Sequence, residues 1–178
     1  LERNLNLVLQ TIEICDNVIV CVNLLDEAKR KGIEINLTKL SERLGVKVVG
    51  TTARKKKNLD KLLEAVYEVC ESKSNSKIKV KYIRPIEEAV SVIETEIRKI
   101  CKGLNSRWIS IKLLEQDNPL IDELNNYIDF NILESEDVKN ALYEARLILK
   151  NENITCENLE SRIVSCIVLT AEDIALDC

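Results

Sequence analysis

Apolar residues set two rhythms along the chain. At the N-terminus Leu5, Leu9 and Ile12 recur at helical spacing, and the rhythm then changes to the continuous run Val18-Ile19-Val20-Cys21-Val22, which predicts a buried strand. Asp26 to Gly45 reads as a helical region around Leu37, Leu40 and Leu44, closed by Gly45 in the C-terminal cap position, and Val46 to Gly50 as a second short strand. Asn58 reads as the cap of a further helix that places Leu59, Leu62, Leu63, Val66 and Val69 or Cys70 on one face. The alternation of types predicts parallel strands joined by helical crossovers.

The pattern changes near residue 72. Ser72 to Lys77 has the polar composition of a connector, and Ile78, Val80 and Tyr82 alternate behind it as in a short extended stretch. Pro85 opens a helix with Ile86, Ala89, Val90, Ile93, Ile97 and Ile100 on one face, and amphipathic segments follow at Ser106 to Glu115, Ser135 to Lys150 and Thr155 to Thr170. The expected fold is therefore an α/β segment with two parallel strands over 1–72, a linker over 73–85 and an all-α domain over 86–178, predominantly α overall. Charge follows the same division: 12 basic against 11 acidic residues through Ser72, and 14 against 19 beyond it.

Composition removes several classes of function. With 46% apolar residues in 178, the chain can build a real core. A net charge of −4 and a pI near 5.2 provide no general attraction to nucleic acid, and the basic cluster Arg54 to Lys57 is local. No apolar run approaches the ~18 residues that span a bilayer, and the first residues carry no signal-peptide pattern, so a cytosolic segment is expected. The seven cysteines form no C-x-x-C pair and the chain has no His, so they are read as reduced thiols, with Cys21 a small hydrophobe in its apolar run and no dedicated metal site. Methionine is absent, including at position 1, and the first residues already read as the inside of a helix, which suggests a piece of a longer chain.

Chemistry is concentrated at two strand ends. Asn23-Leu24-Leu25-Asp26 directly follows the first strand and Thr51-Thr52-Ala53 the second, and in open α/β sheets ligands bind outside the carboxyl ends of strands. The residue types fit guanine. The Asp26 carboxylate can accept from guanine N1–H and the 2-amino group, a donor pair that adenine lacks. Asn23 can bridge the loops and the base, with Thr52 in the second loop, and the Ala53 N–H can donate to the guanine carbonyl oxygen. The same residues also have a plainer reading, with Asp26 as a helix N-cap and Thr52 as a turn residue. The position of both loops directly after strands, one helix-strand unit apart, favours the ligand site.

These residues resemble the cytosolic N-terminal domain of the ferrous iron transport protein B family over essentially the whole chain. Leu1 to Leu5 with Leu9-Gln10 is similar to the helix after that family's fourth strand, and Asn23-Leu24-Leu25-Asp26 to its guanine motif. The Ala53 loop is similar to its second base-binding loop, and Arg107-Trp108-Ile109-Ser110-Ile111-Lys112-Leu113-Leu114-Glu115 to the signature of its helical domain. The resemblance implies the back half of a P-loop-type G domain with its helical, GDI-like domain, on the cytoplasmic side of a bacterial membrane and coupled to the transporter's own membrane domain. The family usually carries Met where Leu24 stands, and small GTPases carry Lys; Leu24 would cover the base by apolar contact. The base loop usually continues with glycine turns. Here Arg54-Lys55-Lys56-Lys57 stands instead, either a solvated loop or one that meets anionic lipid headgroups.

A GTPase also needs G-x-x-x-x-G-K-S/T around the phosphates and a Mg²⁺-positioning Asp. The chain has four glycines and no G-K pair. GTP or GDP is thus expected to be bound by a parent protein, with the Mg site outside these residues, no catalytic residue among them and no hydrolysis by them alone. The strand Val18 to Val22, left with an open edge, is expected to drive self-association. The alternative is a non-enzymatic helical protein-interaction module in which the N-x-x-D loop is only a helix cap.

Overall fold

A computed structural model describes residues 2–71 and 78–178. The polar connector read at Ser72 to Lys77 and the terminal Leu1 lie outside the described residues. The chain divides into two compact units, Leu1–Val80 with Ile167–Cys178, and Lys81–Cys166.

The first unit opens with α1 (Glu2–Ile14), which buries Leu5, Leu9 and Ile12, the three residues that the helical spacing picks out. β1 (Ile19–Val22) pairs in parallel with β2 (Lys47–Gly50), in a register that runs from Ile19↔Lys47 to Val22↔Gly50. The connection holds two helices where the sequence predicts one helical region. These are α2 (Leu25–Arg30) and α3 (Leu37–Leu44), with Gly32 between them at φ 69 and Asn36 capping α3 through the N–H of Lys39. The break follows from local chemistry: a left-handed glycine ends one helix, and an Asn side chain offers the next its first acceptor. Gly45 closes α3 in the left-handed region, with its N–H on Ser41 O at 2.9 Å, and turns the chain into β2. The acidic end of the chain joins this unit, where Asp173 and Asp177 pair with Arg43, and Asp177 also with Lys39.

Two expectations need correction. The run Val18 to Val22 reads as fully buried, yet only Val20 is buried in β1 and Cys21 is exposed. Among the described residues β1 has β2 on one edge and no strand on the other, so one face and one edge remain open. The helix after Asn58, α4 (Leu59–Glu71), packs against both strands and buries Ala65, while Leu63 and Val66 of the predicted apolar face are exposed.

The second unit is helical. α5 (Arg84–Ile100) has Pro85 in its first turn and buries Ile86, Ala89, Val90, Ile93 and Ile97, five of the six residues the spacing selects. It packs along α8 (Glu136–Asn151) and on α6 (Ser106–Glu115). Small buried residues, Ala89 on α5 and Ala141 and Ala145 on α8, suit close helix approach. α7 (Asn118–Ile128) is absent from the sequence reading, although Asp117 caps it and Pro119 sits in its first turn. α9 (Cys156–Asp177) runs seven residues past its predicted end at Thr170, and its last part counts with the first unit. The residues Ile78, Val80 and Tyr82 bury in alternation as read, but they form no strand; Ile78 N–H donates to Leu44 O.

Arg107, the first residue of the helical signature, is mostly buried and forks onto Glu87 with two bonds of 2.8 Å. Its guanidinium lies 5.3 Å from the centre of the Tyr82 ring, and the Tyr82 N–H donates to the same Glu87. This bidentate pair fixes α6 on α5 and on the chain leading into it.

Gly45→Ala is expected to destabilise the first unit by about 1 kcal/mol, because Cβ disfavours the left-handed conformation. Gly45→Asn should recover part of that loss, since Asn tolerates the conformation. Urea unfolding followed by a probe in this unit checks it; an unchanged midpoint for the Ala variant would refute the capping role.

Candidate functional site

Both strands of a parallel pair end on the same side, so the loops after β1 and β2 emerge together. Thr51 continues the ladder, its N–H donating to Val22 O at 2.8 Å, and its carbonyl accepts the Leu25 N–H at 3.3 Å. Its hydroxyl donates to Asn23 Oδ1 at 3.2 Å and lies 3.3 Å from Cys21 Sγ. Thr51 is buried, and it is the residue on which the two loops meet.

Asn23 Oδ1 also accepts the Ala53 N–H at 3.0 Å. The amide oxygen is thereby saturated by two donors from the other loop, and Nδ2 is its remaining donor. The Ala53 N–H, read as a donor to a ligand carbonyl, is in this structure committed to Asn23 and would have to exchange acceptors to serve a ligand. Leu24 adopts φ 63, ψ 30, a left-handed conformation that costs an L-residue about 1 kcal/mol, and its side chain is half exposed. Its carbonyl accepts the N–H groups of Glu27 and Ala28, so it holds the N-cap position of α2.

Asp26 therefore lies inside the first turn of α2, not at its N-cap. Lys55 from the second loop places Nζ 2.8 Å from Asp26 Oδ2. The hydrogen bond from Lys55 and its charge, helped by the backbone N–H groups of Glu27 and Asp26, hold the Asp26 carboxyl below the usual carboxylate range against the opposing effect of desolvation.

Thr52 is buried, and its backbone pairs both ways with Lys57 while accepting the Lys55 N–H, which closes the short 3₁₀ turn Ala53–Lys55. Lys56 and Asn58 are both left-handed. Asn58 stands at the N-cap of α4 as read, its carbonyl accepting the Leu62 N–H at 3.2 Å. Its Nδ2 donates to Gly50 O at 2.8 Å, tying the far end of the loop to the strand end.

Asn23 and Ala53 are thus bonded directly, and Asp26 is joined to the second loop through Lys55, with Leu24 on the first loop and Thr52 at the base of the second. Sequence reasoning gave Thr51, Lys55 and Asn58 no role in the base site. Thr51 was legible as the residue that directly follows the strand. The reach of Lys55 depends on the 3₁₀ turn and had no sequence signal. The largest described recess of the first unit, about 1120 Å³, is lined by Val48, Lys47, Ala65 and Glu68 among others and includes none of these residues. A second, of about 560 Å³, runs along the open side of β1 and reaches Asn23 and Leu24. The convergence of donors and acceptors is the better guide to chemistry than recess size.

What the rim can do is recognise a planar, donor-rich edge: a carboxylate, an amide donor and a backbone N–H within one loop pair. Residues 1–66 match the family model described as ferrous iron transport protein B, and residues 82–178 match that of the FeoB cytosolic helical domain. The chain is 32% identical over 133 residues to the Fe(2+) transport protein A/Fe(2+) transporter FeoB fusion protein of Porphyromonas gingivalis, covering 72% of this chain and 15% of that protein. It is 30% identical over 118 residues to the Fe(2+) transporter FeoB of Escherichia coli, 66% of this chain and 15% of that protein. A crystallised variant of S. thermophilus NFeoB bound to GDP.AlF4- superposes with a TM-score of 0.76 at 26% identity, covering 98% of this chain and 64% of that one. The chain thus spans about a seventh of the two transporters and under two thirds of the solved domain. It belongs to the ferrous iron transport protein B family, with sequence from both the G domain and the cytosolic helical domain.

Proposed function

We propose that these residues form the guanine-recognising part of the regulatory G domain of a bacterial Fe²⁺ transporter, joined to the helical domain that couples nucleotide state to the membrane portion. The observation that carries this reading is the double acceptance at Asn23 Oδ1, which ties the two loops into one rim beside the Asp26 carboxylate. The division into a base-recognising segment 1–72, a connector 73–85 and a helical domain 86–178 goes with it, supported by the change from α/β to all-helical character. The partner is then the transporter's own membrane domain, and the location the cytoplasmic side of the membrane; support comes from the transporter relatives. Among the described residues no helix is long and apolar enough to cross a membrane.

Recognition follows from complementarity. Guanine presents N1–H and the 2-amino group to Asp26, which keeps its charge at any physiological pH because its carboxyl is held below the usual range. Adenine would bring an unprotonated ring nitrogen to the same carboxylate, setting an acceptor against an acceptor. The guanine carbonyl oxygen takes the Ala53 N–H, which leaves Asn23 Oδ1 to the Thr51 hydroxyl. Leu24, half exposed on the first loop, offers apolar cover to the base face.

The residues present do not fit the phosphates or their Mg²⁺. The chain has no G-K pair to build a phosphate-cradling loop, and Asp26 is the one carboxylate that the segments 23–26 and 51–57 offer a cation. No step of phosphoryl transfer is assigned to them.

GDP is expected to shift the amide signals of Asn23 to Asp26 and Thr51 to Lys55 with a dissociation constant in roughly the millimolar range, since base contacts alone oppose the entropy of association. ADP should leave them unmoved, and Asp26→Asn should abolish the preference. Equal shifts from ADP, or no shift from GDP, would sink the guanine reading. The 178-residue chain should release no phosphate from GTP above background; turnover would mean that the catalytic groups lie within it. The open edge of β1 should drive concentration-dependent self-association, and a constant monomer mass by sedimentation across the accessible range would exclude that.

A further inference from the structure

Lys55 and Asp26 come from different loops, and their contact is a geometric fact independent of any ligand: Nζ to Oδ2 is 2.8 Å, with the lysine side chain 66% exposed and the aspartate 34%. Of the four consecutive cations Arg54 to Lys57, Lys55 is the one paired with Asp26. The turn makes the reach possible. Its N–H is held by Thr52 O, the Thr52–Lys57 bridge closes the loop base, and Lys56 in the left-handed region turns the chain back.

We propose that Lys55 is an internal competitor for the base site, occupying the carboxylate with which Asp26 would hold guanine and setting the affinity of that site. The inference rests on the guanine reading of the two loops. Guanine's donor pair spans both carboxylate oxygens, and the ammonium already holds one of them. Where the ammonium keeps to the outer lone pair of Oδ2, its charge still opposes the positive ends of the incoming N–H dipoles. Lys55 must swing into solvent or share the carboxylate before the base is fully bound, and its exposed four-carbon stem lets it leave readily. The competition is therefore a modest, adjustable one. An exposed ion pair of this kind is weak, so the difference it makes to base affinity is small, roughly two- to five-fold. Glu27, the next residue on α2, is paired with Arg30 at 3.8 Å.

The test uses the 178-residue chain and guanosine, which has no phosphates and so reports base contacts alone. Amide shifts of the two loops read binding, and the ¹³C signal of the Asp26 carboxyl reads the ion pair. Lys55→Met, which keeps an apolar stem, should bind guanosine roughly two- to five-fold more tightly, and Lys55→Arg should behave as the parent chain. The Asp26 titration midpoint should rise towards the ordinary carboxylate value in Lys55→Met. If guanosine shifts the loops of the parent chain but binds Lys55→Met equally or more weakly, the competition is refuted while the guanine reading stands. If guanosine shifts the loops in none of the variants, the guanine reading falls and the competition with it. An Asp26 carboxyl that titrates in the ordinary range in the parent chain shows that the pair does not persist in solution, and overturns the competition alone.

Discussion

A single amide oxygen organises the first unit's chemical end. Asn23 Oδ1 receives a hydroxyl from Thr51 and a backbone N–H from Ala53, residues 28 and 30 positions away. That meeting is possible because β1 and β2 are parallel and end level, with Val22 opposite Gly50. Antiparallel strands would send the loops to opposite ends of the pair, and a register slip of two residues would lift one loop some 6–7 Å past the other. Everything proposed for Asp26, Ala53 and Lys55 depends on that level ending. The lone pairs of one side chain convert a strand register into a binding rim.

Much of this was legible in the sequence, for reasons that differ by element. Helices with a continuous apolar stripe, such as α1 and α5, declare themselves because core burial enforces the spacing at every turn. α7 was missed although Leu120, Ile121, Leu124, Tyr127 and Ile128 recur at helical spacing behind the cap Asp117 and Pro119; Ile121 is the one of them it buries. The exposed face of α4 and the open side of β1 had the sequence of buried surface, so periodicity could report apolar character but not what covers it. At the site, strand ends and residue types identified Asn23, Asp26, Thr52 and Ala53 as neighbours in the fold. Their bonding could not be read. That Asn58 grips Gly50 as well as heading α4, and that Lys55 faces Asp26 rather than solvent, is decided by backbone turns with positive φ at non-glycine residues. Such turns carry weak sequence signatures.

The helical unit illustrates how a family signature acquires physical meaning. The string from Arg107 to Glu115 is buried or half-buried throughout, with Ile109 to Ile111 and Leu113-Leu114 inside, and its first residue anchors α6 through Glu87 and Tyr82. A guanidinium that forks onto a carboxylate while lying over an aromatic ring satisfies planar, bidentate and apolar demands together, and Lys could meet only part of them. The identity of the residue is thus tied to packing between helices, whereas the loop residues of the first unit are tied to what they can offer a ligand.

Leu24 carries a consequence of a different kind. It stands between the organising amide and the recognising carboxylate in a conformation that suits glycine, yet it holds a large, half-exposed apolar side chain. Glycine at this position would relieve the backbone but remove the half-exposed apolar side chain, and keeping the side chain retains the strain. Stability and recognition are therefore opposed at one position, so a chain selected for thermal robustness alone would drift away from the geometry that makes the loop useful.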